Sequence, residues 1–296
     1  MSFSASDVKK LREMTGAGMM DCKKALSENA GDMDKAVDFL RTKGLAAAQK
    51  KQGRIAAEGM VATVSEGNMG VLVEVNCETD FVSKNDNFKA FALSIANYIL
   101  KEKPADIAAL KAAKTEEVNE ITLKIGEKID IRRFVAIESK GAIGSYNHGG
   151  RIGVLVNLEG ADGSNAAVSE LLKDIAMHTA AASPKFLSGD DIDESFKNKE
   201  AEIYAAQLKE EGKPENMIDK IIQGKLKKLS SEVCLLEQKF VKDPDLTIGG
   251  LVNKVAKEAD LTLSVVGFEK MNLGEGIEKK KEDNLAEEVA KMTSGN

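Results

Sequence analysis

The chain has 296 residues, 43% of them hydrophobic, which allows two or three packed units and is not the composition of a disordered protein. A formal net charge of −6, the absence of tryptophan and an aromatic content of only 4% argue against a protein that binds nucleic acid through a basic, base-stacking surface. No apolar run has the length of a membrane span and the first seven residues do not resemble a signal peptide, so we expect a soluble cytoplasmic protein.

The first segment, residues 1–54, has the pattern of a small helical domain. Apolar residues at helical spacing predict a first helix that ends at Gly16, followed by a second helix. Asp32 is placed to cap a third helix, which we expect to end before Gly44. Residues 45–51 are predicted to form a helical connector.

Two similar patterns of strands and helices follow, in residues 55–140 and 141–280, and the runs GVLVEV and GVLVNL mark the same position in each. Strands are predicted at 60–64, 71–75 and 129–137 in the first copy, and at 142–146, 153–158 and 261–268 in the second. Apolar helices are predicted at 88–100 and 168–181. The chain therefore reads as α+β, with two related half-domains, each a three-stranded antiparallel sheet covered by helices.

A charged helical excursion interrupts the second copy at about residues 190–230. Its two arms carry apolar residues: Ile192, Phe196, Ile203 and Leu208 on the first, and Met217, Ile221, Ile222 and Leu229 on the second. The break at Gly212-Lys213-Pro214 predicts that the arms fold back as an antiparallel coiled-coil hairpin, with a solvated spacer as the alternative.

The last segment, residues 281–296, is predicted to contain a helix at 283–292. Leu285, Val289 and Met292 share one face of it. So few apolar residues cannot stabilise an isolated helix, and we expect it to dock on its own chain or on a partner.

The segment NCETDFV at residues 76–82 places Phe81 beside Asp80, directly after a predicted strand. A large apolar ring in a polar loop requires a reason, because loop backbones stay hydrated. One reading is local packing of Phe81 or Val82 on Phe88 or Phe91 of the next helix. The other is a ring presented to a partner next to an acidic group.

Residues that could support chemistry are few. Three separated cysteines without nearby histidines form no zinc pattern, so we expect reduced thiols: Cys22, Cys77 and Cys234. His148 and His178 stand in no metal or nucleophile motif, and no phosphate loop or dinucleotide fingerprint is present. We predict no catalytic residue, no metal, no cofactor and no direct binding of nucleotide.

Three segments together resemble the signatures of the elongation factor Ts family, the guanine-nucleotide exchange factors of elongation factor Tu. They are LREMTGAGMMDCKKAL at residues 11–26, TDFV at 79–82 and GSYNHGGRIGVLV at 144–156, in the family's order. The resemblance covers essentially the whole chain. It implies a bundle of the ubiquitin-associated (UBA) type in residues 1–54, a helical hairpin at about 190–230 and a C-terminal helical module at 281–296.

The resemblance also implies a function and a site. The protein would bind elongation factor Tu·GDP, displace its Mg²⁺ and loosen its phosphate site, so that GDP leaves; GTP binding would then release the factor, which prefers nucleotide-free elongation factor Tu. Thr79, Asp80, Phe81 and Val82 would enter beside the partner's Mg²⁺, with Phe81 as the wedge. Further contacts would come from Arg12, Met19, Met20 and His148.

The residues by themselves leave other interpretations open for several of these positions. Met19 and Met20 point about 100° apart on a helix, so one of them would be buried and the other incidental. His148 would be an exposed turn residue and His178 a packed or hydrogen-bonded one. Arg132 and Arg133 read as structural salt-bridge partners.

Two other function classes compete with exchange. An RNA-binding protein of the translation machinery should show a basic face, and the strongest patch, Lys225, Lys227 and Lys228, is flanked by acidic residues. An adaptor of the UBA type would account for residues 1–54 and leave the repeat unexplained. We expect no nucleic acid and no membrane among the partners.

Overall fold

Three helices begin the computed structural model of this protein, which describes residues 3–278. They are α1 (Ala5–Thr15), α2 (Met19–Glu28) and α3 (Met33–Lys51). Ser4 and Asp7 form a capping box at the start of α1, and Gly16 ends that helix in the left-handed conformation. The Asp32 carboxylate accepts from the backbone N–H of Lys35 and caps α3, as predicted. The buried residues of the three helices form one core, including Leu11, Cys22, Leu26 and Leu40.

The third helix does not end before Gly44, as the sequence suggested, and instead continues through it to Lys51. The glycine serves packing, because a Cβ atom at this position would lie 3.3 Å from the carbonyl oxygen of Asn119. Asn119 belongs to a later helix, α7 (Thr115–Ile125). The missing side chain lets the backbones of α3 and α7 approach closely, which offsets the low helix propensity of glycine.

The first sheet has three strands in the order β1, β2, β3: Glu58–Glu66, Met69–Cys77 and Asp130–Glu138. The central strand β2 is buried from Gly70 to Cys77, as its continuous apolar run indicates. Between β2 and β3 lie α4 (Asp80–Ser83), α5 (Asp86–Glu102), α6 (Ile107–Ala113) and α7. The inward face of α5 buries Phe88, Phe91, Ile95 and Ile99. The three strands and the helix predicted for this region are therefore present, and α6 and α7 occupy the residues between that helix and β3.

The second sheet joins β4 (Ala142–His148), β5 (Ile152–Glu159) and β8 (Ser264–Asn272) in that order. Strands β4 and β5 pair antiparallel, with Tyr146 opposite Val154. Helix α8 (Ala166–Ala182) contributes much of the core of this region, including Leu172 and Ile175.

The last strand of the second sheet begins at Ser264, three residues later than predicted. The preceding residues end helix α11 (Ile248–Glu258). Asp260 has a φ of 54°, and the N–H of Leu261 donates to the carbonyl oxygen of Ala256 at 2.9 Å. This is a left-handed helix terminus, so Leu261 is engaged in capping and cannot join the ladder.

Helix α11 and a short hairpin of β6 (Lys239–Phe240) and β7 (Asp243–Thr247) were not predicted from the sequence. Thr247 caps α11, and Ile248 and Val252 are buried in the same core as α8. A capping threonine followed by apolar residues at a four-residue spacing was the available signal.

The excursion in the second copy consists of two helices, α9 (Glu194–Glu210) and α10 (Glu215–Val233), which contact each other. Gly212, with a φ of 69°, lies in the turn between them. Leu208, Ile218 and Leu229 are buried.

Two of the apolar residues on these arms are not buried, since Ile203 is 41% and Met217 51% exposed. Residues five apart lie about 140° apart on a helix, so Ile203 cannot share the face of Leu208. Met217 is likewise turned about 100° from the buried Ile218.

The chain divides into two compact units. The first contains the described residues up to Ala62, Val73–Phe134 and the described residues from Asn272 onward; the second contains Thr63–Leu72 and Val135–Met271. The domain boundaries predicted at residues 54, 140 and 280 remain a prediction. The predicted C-terminal helix at 283–292 lies outside the described residues.

A buried carboxylate ties several segments of the first unit together. Glu74 accepts hydrogen bonds from Arg133 Nε at 2.6 Å, from Arg132 Nη1 at 3.0 Å and from the N–H of Gly274 at 2.8 Å. The prediction that both arginines are salt-bridge partners is confirmed, and both pair with the same carboxylate.

In the second unit His178 is 1% exposed, and its Nε2 lies 3.0 Å from Gln238 Oε1. It is the packed, hydrogen-bonded residue that was expected. Between residues 3 and 278 no helix is long and apolar enough to cross a membrane.

Candidate functional site

The segment after β2 is a short helix and not the loop that its polar sequence suggested. Helix α4 covers Asp80–Ser83. Thr79 precedes it in extended conformation, and its Oγ1 accepts from the N–H of Val82 at 3.4 Å. Threonine before the helix and aspartate in its first turn both favour helix initiation. Phe81 is thus presented from a turn of defined geometry.

The ring of Phe81 is 82% exposed. The two aromatic residues on which it was expected to pack, Phe88 and Phe91, are 0% and 8% exposed and belong to the core. Local packing is therefore the wrong interpretation for Phe81, while Val82 is half-buried. A phenylalanine ring exposed to this extent is the kind of side chain that protein interfaces bury.

Asp80 lies next to the ring and carries a negative charge. Its Oδ2 accepts from Lys84 Nζ at 2.6 Å, one turn further along the chain. The hydrogen bond from Lys84 lowers the pKa of the Asp80 carboxyl below 3.8. The aspartate is ionised at neutral pH and its side chain is about half exposed.

The start of this helix is held from the turn that follows α7. The Oε2 atom of Glu127 accepts from the backbone N–H groups of both Glu78 and Thr79 at 3.0 Å, and its Oε1 accepts from Thr79 Oγ1 at 2.7 Å. In return, Glu78 Oε1 accepts from the backbone N–H of Lys128 at 2.6 Å. Two segments distant in sequence are thus joined by four hydrogen bonds to carboxylates.

A second layer of contacts supports this junction. Arg54 Nη1 lies 3.2 Å from Glu78 Oε2, and Lys128 Nζ donates to the carbonyl oxygens of Gln52 and Arg54 at 2.7 and 2.9 Å. None of these contacts was predicted from the sequence, although Glu78 belongs to the NCETDFV segment. Charged residues in a turn carry no sequence signal that relates them to a loop about 50 positions earlier.

Cys77 ends β2 directly before this junction. Its Sγ is buried and donates to the carbonyl oxygen of Thr79 at 3.1 Å. Burial, with the nearby charges of Glu127 and Glu58, raises the pKa of this thiol to about 12. A thiol with so high a pKa is a poor nucleophile, and Cys77 acts here as a structural residue.

The remaining predicted contact residues lie on other elements. Arg12 is exposed on α1, and on α2 Met19 is 55% and Met20 73% exposed. The alternative interpretation, in which one of the two methionines is buried, is wrong, because α2 buries the side that carries Cys22, Ala25 and Leu26. Both methionines are available as an adaptable contact surface.

His148 is the last residue of β4 and belongs to the second unit. It is exposed, as expected, and its Nδ1 lies 3.1 Å from Tyr146 Oη. The two rings stack with centroids 6.1 Å apart, which orients the imidazole. Of the eight predicted residues, Thr79, Asp80, Phe81 and Val82 are therefore neighbours in one turn. The others lie on α1 (Arg12), α2 (Met19 and Met20) and β4 (His148).

Candidate sites of other kinds are scarce in the part of the chain that the structure describes. Within residues 3–278 no group of three or more His, Cys, Asp or Glu side chains is placed to hold a metal ion. The three cysteines are free thiols and all are buried. The exposed ring and its carboxylate neighbour remain the most distinctive surface feature of the first unit.

Comparison with known proteins assigns the chain to a family. A family model described as "Elongation factor TS" matches residues 78–275, which begin at the Glu78 junction. Elongation factor Ts of Trichlorobacter lovleyi is 49% identical over 306 residues, covering 98% of this chain and 98% of that protein. Elongation factor Ts of Syntrophotalea carbinolica is 48% identical over 303 residues, covering 99% and 100%.

A third relative gives the same result. Elongation factor Ts of Clostridium perfringens is 48% identical over 302 residues, with 98% of this chain and 99% of that protein covered. Because alignments at this identity span both chains almost completely, and the family model matches more than half of the residues, the chain belongs to the elongation factor Ts family.

Proposed function

We propose that this translation elongation factor is the guanine-nucleotide exchange factor of elongation factor Tu. It binds elongation factor Tu·GDP, displaces the Mg²⁺ ion and loosens the phosphate site, so that GDP leaves and GTP can enter. The observation that carries the proposal is the 82% exposed ring of Phe81, placed beside the ionised Asp80 on a capped helical turn.

Burial of the Phe81 ring in elongation factor Tu provides free energy for displacing the Mg²⁺ ion. Magnesium demands near-octahedral coordination, so small shifts of the groups around it weaken its binding strongly. Burying a phenylalanine side chain in the partner releases about 1.5–3 kcal/mol, which offsets part of the strain imposed there. With the cation gone, the phosphates of GDP are less well neutralised and the nucleotide dissociates.

Asp80 contributes charge next to the ring. A carboxylate inserted near the nucleotide is repelled by the phosphates of GDP, and this repulsion weakens nucleotide binding. Its pairing with Lys84 leaves the side chain about half exposed, so it can exchange that partner for one on elongation factor Tu. Exposed ion pairs of this type contribute little free energy, so replacing Lys84 by a partner on elongation factor Tu costs little.

Linkage determines the direction of the reaction. If the factor lowers the affinity of elongation factor Tu for GDP by some ratio, GDP lowers the affinity for the factor by the same ratio. The factor therefore prefers the nucleotide-free partner, and GTP binding ejects it. No covalent bond of the factor is made or broken, so it acts without catalytic residues, cofactor or metal of its own.

The other contacts extend over the surface. Arg12, Met19 and Met20 meet the nucleotide-binding domain of elongation factor Tu, and His148 meets another of its domains.

The finer fold assignments belong to the same proposal. Residues 1–54 form a UBA-like domain, 55–140 and 141–280 the two half-domains, and 281–296 a C-terminal helical module. The pair α9 and α10 forms an antiparallel coiled coil.

Release of a fluorescent GDP analogue from elongation factor Tu tests the proposal. Catalytic amounts of this protein are expected to accelerate release. Phe81→Ala should slow the accelerated rate about 10- to 100-fold, because the lost burial is about 1.5–3 kcal/mol and each 1.4 kcal/mol is a factor of ten. Asp80→Ala should also slow it, by a smaller factor.

Val241→Ala provides the matched control, since Val241 is an exposed apolar residue, 47% accessible, outside the proposed site. It should leave the rate unchanged. Circular dichroism and thermal unfolding verify that each variant is folded. Wild-type rates in both the Phe81 and the Asp80 variants would remove this turn from the mechanism.

A further inference from the structure

We infer that Glu127 is a positioning residue for exchange: its carboxylate holds the backbone that carries Asp80 and Phe81 in the orientation that the partner meets. The inference rests on the proposed function. It concerns a residue outside the three sequence segments that carry the family resemblance.

The exposed ring cannot position itself. Phe81 is 82% exposed and α4 is a single turn, in which no residue is fully buried. A one-turn helix has too few internal hydrogen bonds to persist by itself. The orientation of the ring must therefore be set by whatever holds the ends of the turn.

The two ends are anchored differently. After the turn, the chain continues into α5, whose first turn is capped by Asn85 and whose Phe88 is 0% exposed. Before the turn, β2 ends at Cys77, and the next two backbone N–H groups leave the sheet. Both of them, from Glu78 and Thr79, donate to a single oxygen of Glu127.

The third bond connects the anchor to the helix itself. Thr79 Oγ1 donates to Glu127 Oε1 at 2.7 Å and at the same time accepts from the N–H of Val82. The hydroxyl can serve as the cap of α4 in this orientation because its proton is directed to the carboxylate. Glu127 thus fixes the course of the backbone at Glu78 and Thr79, and it orients the Thr79 hydroxyl so that its oxygen can cap α4.

The geometry of Glu127 is in turn held from its neighbours. Gly126, with a φ of 85°, ends α7 in the left-handed conformation, and the N–H of Lys128 donates to Glu78 Oε1 at 2.6 Å. The reciprocal bonds between 78–79 and 127–128 fix the two segments against each other. A displacement of about 1 Å in such a support can cost about 100-fold in rate when the supported group must fit a defined site.

The test uses three substitutions of Glu127 and one control in the full-length protein. Glu127→Ala removes all three acceptor contacts, and Glu127→Asp keeps the charge but shortens its reach. Glu127→Gln keeps one oxygen for the two amides and offers Thr79 Oγ1 a donor in place of an acceptor. Asp130→Ala is the control, because Asp130 pairs with Lys111 at 2.8 Å and does not contact the turn.

The first readout is the rate of fluorescent GDP release as a function of factor concentration. Glu127→Ala should lower the maximal rate about tenfold, Glu127→Asp by an intermediate factor and Glu127→Gln by less than about threefold. The half-saturating concentration should change less than about threefold, because the contacts proposed for Arg12, Met19, Met20 and His148 are intact. Asp130→Ala should behave as wild type.

The second readout is amide hydrogen exchange of the free protein. In Glu127→Ala, residues 78–82 should exchange at least about tenfold faster, while α5 and β5 keep their protection. Faster exchange throughout the first unit, or a maximal rate equal to that of wild type, would overturn the inference. So would an effect confined to the half-saturating concentration.

The two proposals fail in different ways. If the wild-type protein does not accelerate GDP release, the proposed function fails, while hydrogen exchange still reports whether Glu127 holds the turn. If wild type accelerates release and Glu127→Ala does so equally, the positioning role alone is lost. Where Glu127→Ala does not fold, a wild-type maximal rate in Glu127→Asp overturns the inference, and a reduced rate with local loss of protection supports it.

Discussion

The buried carboxylate of Glu74 connects several segments of the first unit. Glu74 is 0% exposed, yet it faces Arg132, Arg133 and the backbone of Gly274. Burial raises its pKa, but the hydrogen bonds from the Gly274 amide, from Arg133 and from Asn76 outweigh that effect, and the pKa lies below 4.5. Arg133 also donates to the carbonyl oxygen of Asn272 at 2.9 Å, so the cluster ties both Asn272 and Gly274 to the arginines and the glutamate of the first sheet.

This cluster predicts a pH dependence of stability. Because the folded-state pKa of Glu74 lies below the unfolded value of 4.5, its ionised form stabilises the fold above pH 4.5. The stabilisation is lost as the pH falls from 4.5 through the lowered pKa. Glu74→Gln should cost about 3 kcal/mol near pH 7, since it leaves two arginines without their buried partner.

Urea unfolding of wild type and Glu74→Gln between pH 7 and pH 3 measures this effect. The difference in unfolding free energy should be constant above pH 5 and should shrink below pH 4.5. Glu13→Gln is a control with the same substitution, because Glu13 is exposed and pairs with Lys9 at 3.8 Å along α1. A difference between wild type and Glu74→Gln that does not change with pH would contradict the assigned ionisation.

Helices in this protein tolerate glycine for different reasons. Gly44 lies inside α3, where a Cβ atom would meet the carbonyl oxygen of Asn119 at 3.3 Å. Gly224 lies inside α10, where a Cβ atom would meet nothing within 4 Å. The same residue type thus marks a close helix contact in one element and open space in the other.

The comparison predicts different effects of the same substitution. Gly224→Ala should stabilise α10 by about 0.5–1 kcal/mol, the gain in helix propensity from glycine to alanine. Gly44→Ala should gain less or lose stability, because the added methyl group forces α3 away from α7. Amide hydrogen exchange within α3 and α10 measures each effect locally, which is appropriate for a chain of two units. Equal stabilisation by the two variants would exclude a close contact at Gly44.

For the whole molecule, the placement of the cysteines has a chemical consequence. Cys22, Cys77 and Cys234 lie on different elements, and all three are buried. Burial raises the pKa of each thiol, to about 12 for Cys77 and about 11 for Cys234. The folded protein therefore protects its thiols both by exclusion of reagents and by keeping them protonated.

Thiol reactivity should report the integrity of the fold. At pH 8 the native protein should react with Ellman's reagent far more slowly than the protein in concentrated urea; for Cys77 the smaller thiolate fraction alone contributes on the order of 10³-fold. In urea, all three thiols should react. Absorbance of the released thiolate at both conditions measures this, and Cys77→Ser, Cys22→Ser and Cys234→Ser assign the phases. Rapid reaction of a thiol in the native state would contradict its burial.

Much of this protein could be predicted from its residues. The repeated GVLV runs and the spacing of apolar residues predicted both sheets and the helical hairpin of α9 and α10. Together with the caps at Asp32 and Gly16, the same spacing predicted the three helices at the start of the chain. These patterns are informative because they express local backbone preferences and the burial of one face. Departures from these predictions include the continuation of α3 through Gly44, the late start of β8, the helical turn at Asp80–Ser83 and the unpredicted helix α11 after its cap at Thr247. In each, a contact or cap beyond the local pattern decided the outcome.

The amino-acid sequence by itself determined the family, most of the helices and strands, and the four residues of the TDFV segment as a candidate contact. Only the tertiary structure decided that the Phe81 ring is exposed while Phe88 and Phe91 are buried, since all three are equally apolar in sequence. It alone brought Glu127 to Glu78 and Thr79. The physical reason is that burial and hydrogen bonding between distant segments depend on the packed chain, and no local spacing encodes them.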